Sequence, residues 1–151
     1  ELPRAVLMAG YKDTSSSDAV YMLDWYAYGI GKVPAKVATT YQNISDAWSL
    51  LIDQKWHDRI TAIKANDGGL SYVEFFEYRK NKMSIPLFNI YCATGSNREY
   101  YAERTDLIQL GQTTQAIYFA KLTNEGEQSE LALTGDEIKA RFSLVNQAWN
   151  N

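Results

Sequence analysis

The chain has 151 residues, of which 46% are hydrophobic and 22% charged, the size and usage of one globular domain, and this excludes a disordered or low-complexity protein. A net charge of -3 and a pI near 5.2 exclude the basic face that a nucleic-acid binder presents. No apolar run reaches the ~20 residues of a membrane-spanning helix, and the single cysteine excludes an internal disulfide.

Residues 1–44 are the least legible part of the chain. Glu1 stands where an initiator methionine is expected, which leads to the expectation of a removed upstream segment, a secretory signal or a lipid anchor. The polar stretch from Lys12 to Asp18 reads as a loop, and the aromatic run from Val20 to Tyr28 reads as a strand, because tyrosine and tryptophan fit a pleated, half-buried surface. "YGIGKVPAK" brings Gly29, Gly31 and Lys32 together but is no phosphate loop, since Tyr26 and Val33 occupy positions where that pattern demands Gly and Ser or Thr. It reads as a glycine loop leading to Pro34.

From residue 45 the pattern predicts a helix of about three turns, with Ser45 as N-cap, Asp46 opposing the dipole, and a stripe of Trp48, Leu51, Ile52 and Trp56. The triplet from Asn43 to Ser45 also matches a glycosylation acceptor, although an approach to an N-cap explains the same residues. His57 is the only histidine, which excludes zinc modules and hydrolase sites built on several histidines. Its position predicts a structural role at a helix end, where a protonated imidazole meets the negative pole.

"RITAIKANDGGLSYVEFFEYRKN" predicts a hairpin, with Asn66 to Gly69 supplying the positive-φ residues of a tight turn. Within it Glu74 and Glu77 are three residues apart, so they point to opposite faces of a strand and form no acid-base pair. A third strand, "IPLFNIYCA", follows the polar turn from Arg79 to Lys82, and Pro86 predicts an edge or strand-end position because proline cannot donate to the ladder. Cys92 is either a nucleophile with His57 as its base or a packing residue, and strand alternation with Phe88 and Ile90 favours packing. Two further strands are predicted in "DLIQLG" and "QAIYFAKL", joined around Gly111 to Thr114. Thr134 and Glu137 then form a capping box, and Ile138, Phe142, Val145 and Trp149 predict a closing amphipathic helix.

The order of elements predicts a single α+β domain over residues 1–151, in which an antiparallel meander of about four to six strands packs against two helices. No catalytic residue, metal ligand or cofactor motif emerges. Eleven tyrosines are the compositional oddity, and rings with a polar tip suit interfaces. Tyr72, Tyr78, Tyr91 and Tyr118 are the candidate binding residues, with Tyr72 and Tyr78 on one face of their strand as anchors. The expected function is that of a non-catalytic extracytoplasmic binding or interaction domain whose partner is an unknown protein or cell-envelope component. The alternative is a small hydrolase-type enzyme.

"PLFNIYCATG", "LIQLGQTTQAIYFAKL" and "LTGDEIKARFSLVNQAW" together give an apolar pattern over residues 45–149 that resembles small secreted or lipid-anchored domains of uncharacterised function from Gram-positive bacteria. The resemblance implies export and a domain with no assigned activity.

Overall fold

The structure is a computed structural model that describes residues 2–8 and 20–145. Strands β1 (Leu2–Leu7), β2 (Tyr21–Ala27), β3 (Ala35–Asn43) and β4 (Trp48–Leu51) form an antiparallel meander, the bulk of a first sheet. The second sheet is built from β5 (Ile60–Asp67), β6 (Leu70–Arg79), β7 (Lys82–Thr94), β8 (Ile108–Gln112) and β9 (Ala116–Leu122), in the order β5-β6-β7-β9-β8. The chain then returns to the first sheet, where β10 (Phe142–Leu144) pairs with β4. Helices are short: α1 (Arg98–Ala102), α2 (Asn124–Glu127) and α3 (Gly135–Arg141).

The expected α+β architecture is therefore corrected to a mostly β one, two five-stranded antiparallel sheets with three short helices. Each sheet turns one face toward the other. Tyr41 of β3 meets Phe75 of β6 edge-on at 5.4 Å, and Phe142 of β10 meets Tyr118 of β9 at 5.6 Å, so one core is shared by both sheets. Alternation sets it up: Met22, Tyr41, Trp48 and Leu50 point inward from the first sheet, and Val73, Phe75, Phe88 and Ile90 from the second.

The helix predicted from residue 45 is a turn, strand β4 and a 3-10 turn at Gln54–Trp56. Its polar residues are spent on the turn. Asn43 accepts from the Ser45 hydroxyl at 2.8 Å and the Asp46 amide at 3.2 Å, and Ala47 takes a left-handed φ of 56°, which breaks any helix at its start. The apolar residues of this segment fit both periods, and the period of two prevails: Trp48, Leu50 and Ile52 are buried while Leu51 is exposed. Trp56 is buried all the same, with its indole donating to the Leu131 carbonyl at 2.8 Å.

The hairpin is as predicted, with Asp67 opposite Leu70 across Gly68 and Gly69, and Gly68 at a φ of 60°. Pro86 sits within β7 rather than at its start, at a bulge facing Phe76, and β9 pairs with β7 only from Phe88 onward. At Pro86 one flank of the strand is thus free of ladder partners, which accommodates the missing N–H. The capping box at Thr134 and Glu137 is present, with both bonds at 3.2 Å. The helix it opens ends at Arg141, because Phe142 instead joins the free edge of β4 and stacks on Trp48 at 5.8 Å. Trp149 and the loop from Lys12 to Asp18 lie outside the described residues.

A buried carboxylate ties the second sheet to the segment that follows α2. Glu77 is 1% exposed; its Oε1 accepts from Arg79 Nε at 2.7 Å and its Oε2 from the Ser129 hydroxyl at 2.7 Å. Glu74 lies on the opposite face of the strand and is half-buried, as the spacing of the pair requires.

Candidate functional site

The inner face of the first sheet continues past the core and opens. Along β2 the inward residues are Met22 and then Asp24, and along β3 the residues opposite them are Tyr41 and Thr39. The first pair closes the core, and the second begins a cleft of about 600 Å³ between this sheet, the 3-10 turn and the end of α3. That volume is within the ~300–1,000 Å³ of small-molecule pockets. Val6, Met22, Val37 and Ile52 give it apolar walls.

Asp24 is the polar centre of the cleft. It is 8% exposed, and its Oδ1 accepts from the Thr39 hydroxyl at 2.6 Å and meets Lys36 Nζ at 2.9 Å. Lys36 reaches it because the register shifts at Trp25 and Tyr26, a bulge that re-aims the strand end. Burial disfavours the charged carboxylate, but hydrogen bonds from Thr39 and Lys36, together with the charges of Lys36 and His57, outweigh that cost and hold the carboxyl below its ordinary range. Both of these contacts fall on Oδ1.

The facing rim is a second ion pair. Asp53 caps the 3-10 turn by accepting from the Lys55 amide at 2.9 Å, and its other oxygen meets Arg141, in the last turn of α3, at 2.6 Å. His57 follows at the mouth, with Nδ1 at 3.0 Å from the exposed Asp58 carboxylate. The sole histidine thus lies beside a 3-10 turn and on the cleft, not at the end of a long helix. Asp58 takes a left-handed φ of 57°, which turns the chain toward β5.

Cys92 lines a different cavity, of about 510 Å³, at the other end of the sandwich with Asp46, Thr94 and Tyr118. It is buried, and burial with the nearby Asp46 charge pushes its thiol up to about 11, against the lesser effect of hydrogen bonds with Tyr118 and Ser71. The thiolate is therefore scarce at neutral pH, and His57 lines the other cavity, so no nucleophile-base pair exists between them. Among the described residues, no group of three or more His, Cys, Asp or Glu side chains is placed to hold a metal ion.

The four candidate tyrosines divide between the two faces of the second sheet. Tyr72 and Tyr91 are register partners in contact on its outer face, with ring centroids 5.3 Å apart, and Tyr78 shares that face of β6. All three are half-buried. Tyr118 is corrected to a core residue, 3% exposed, whose hydroxyl donates to the Asp46 carbonyl at 2.7 Å. β9 is buried on both sides: Ile117 and Phe119 lie on its outer face in a cluster with Tyr101 of α1, and Tyr118 turns inward. Of the residues lining the cleft, the sequence singles out His57, Leu51 and Ile52, but none of them as part of a binding site. The one local signal was Asp24 itself, a lone acid in the apolar strand "YMLDWYA" at an inward position.

Comparison with protein-family models, with curated proteins and with solved structures finds no match for this chain.

Proposed function

We propose that this protein is a non-catalytic binding domain that holds a small ligand in the cleft beside Asp24, in the extracytoplasmic setting that the sequence resemblance implies. The observation that carries the reading is the carboxylate of Asp24 in the lining of a cleft with apolar walls: it is 8% exposed and both of its side-chain contacts fall on Oδ1. A carboxylate oxygen that the fold's side chains do not hold, at the wall of a cleft, favours a partner that donates to it. The ligand class is a small molecule with an apolar part and a hydrogen-bond-donating head, an ammonium or a hydroxyl group. In the lining Asp24, Asp53 and Asp58 are matched by Lys36, Arg141 and His57, so a donating head, charged or neutral, engages these carboxylate oxygens in competition with partners already there.

Titration with primary alkylamines and amino alcohols tests this, read by the His57 ring resonances and by thermal shift. Binding is expected for the wild type, with loss in Asp24→Ala and in Val37→Arg, which fills the cleft from a half-exposed wall position. Quaternary ammonium analogues, which have no N–H to donate, bind more weakly. Equal binding by Asp24→Ala, or preference for the quaternary analogues, sinks the reading.

A further inference from the structure

The connection between β2 and β3, residues 28–34, takes no part in the cleft's polar chemistry, yet among the described residues it carries the two most exposed large apolar side chains. The Lys32 amide donates to the Gly29 carbonyl at 3.1 Å and Gly31 has a φ of 72°, which makes residues 29–32 a type II turn with Ile30 at its outermost corner. Ile30 is 106% exposed, Val33 89% and Tyr28 60%. No residue packs beneath Gly31, where a side chain would find nothing within 4 Å. Leu2, at the same end of β1 and opposite Tyr26, is also exposed.

Single exposed apolar residues are ordinary, but a projecting cluster on a turn is a contact site. Its shape and charge distinguish the partners. A protein interface needs ~800 Å² per side, far more than the projecting tip of one turn presents, whereas a bilayer closes around a small wedge from all directions. The charge agrees: Lys32 is exposed beside the apolar corner, and no carboxylate occurs in the sequence between Asp24 and Asp46. An aromatic ring with a polar tip and a lysine behind an aliphatic corner suits the interface of an anionic lipid surface, where the ring lies at headgroup level. We infer that the β2–β3 turn docks the protein onto a phospholipid bilayer by inserting Ile30 and Val33 between headgroups, with Lys32 against the anionic lipids.

The test uses the whole protein and vesicles of phosphatidylcholine alone or mixed with phosphatidylglycerol. Wild type is expected to co-sediment with the mixed vesicles and less with the neutral ones. Ile30→Asp with Val33→Asp should weaken that binding at least tenfold with an unchanged melting temperature, because both side chains are almost fully exposed. Lys32→Glu should remove the preference for anionic vesicles. An environment-sensitive dye on Ile30→Cys should shift to the blue on binding; the native Cys92 is buried and stays unlabelled. Three results each overturn the inference: wild type ignoring both vesicles, the double variant sedimenting like wild type, or binding with no change at the dye.

Discussion

Each sheet buries one carboxylate on its inner face, and the two are finished differently. Glu77 has partners on both oxygens, Arg79 and Ser129, with Arg59 at 3.8 Å as an outer neighbour, so nothing remains for a ligand. Asp24 meets Thr39 and Lys36 through one oxygen and lines a cleft. Burial alone does not distinguish a staple from a site. The distinction lies in which acceptor capacity the fold has already used, since a buried polar group left partly open has something to gain from a partner.

The largest expected effect is on the closed carboxylate. Glu77→Ala leaves the buried Ser129 hydroxyl without its acceptor and a gap in the inner face, while the half-exposed Arg79 turns to water, and the expected cost is about 2–4 kcal/mol. Equilibrium unfolding in urea measures it. A loss below about 1 kcal/mol would mean that Glu77 behaves as a surface ion pair and that the contrast with Asp24 is false.

A smaller effect sharpens the same point from the backbone side. Gly126 in α2 lies against β7 so closely that an added Cβ would meet the Leu87 carbonyl at 2.4 Å and Leu87 Cα at 2.8 Å. Both are backbone atoms and cannot swing aside. Gly126→Ala therefore pushes α2 off the strand and carries with it Ser129, whose amide donates to the Gly126 carbonyl at 3.0 Å. The expected cost is about 1–3 kcal/mol, as for overpacking elsewhere. Combined with Glu77→Ala it should be less than additive, because the two changes disrupt one network. Strict additivity would separate α2 from the carboxylate.

What was legible in the sequence follows the range of the interactions involved. The turn at Gly68 and Gly69 and the capping box at Thr134 are settled by residues within a few positions of one another, and both were read correctly. The segment from residue 45 was misread because Ser45 and Asp46 serve a turn closed by Asn43 as well as they would a helix N-terminus. Phe142 was assigned to a helix because its place in β10 depends on β4, an edge lying far earlier in the chain. The cleft was hidden for the same reason: it joins Asp24 and Lys36 to Asp53 and Arg141, which meet only once the two sheets and α3 are assembled. Tyr118 is the converse case, since its strand is legible from local residues and what covers each face of β9 is not.

At the open carboxylate the expected effect on stability is modest. Asp24→Asn keeps the size of the side chain and a carbonyl oxygen for Thr39 but gives up the ion pair with Lys36, which is one-third exposed. A cost of about 1 kcal/mol follows, several-fold less than at Glu77. Ligand binding should fall much more than stability does. A cost equal to that of Glu77→Ala would make Asp24 a staple as well, and the cleft would lose its polar centre.

The smallest effect is a change in that difference with pH. Asp24 titrates below the ordinary 3.8 because hydrogen bonds from Thr39 and Lys36, and the charges of Lys36 and His57, outweigh the opposing effect of burial. A carboxyl whose pKa is depressed on folding contributes stability that is fully present above its unfolded value, about 3.9, and is lost as pH falls through the folded one. Asp24→Asn has no such group. Subtracting the two unfolding free energies therefore isolates Asp24. The wild type's advantage should be flat from neutral pH down to about 4 and shrink below it. An advantage that grows on acidification would reverse the sign and show that the folded state prefers the protonated acid, making Asp24 a hydrogen-bond donor to the cleft in place of the acceptor argued here.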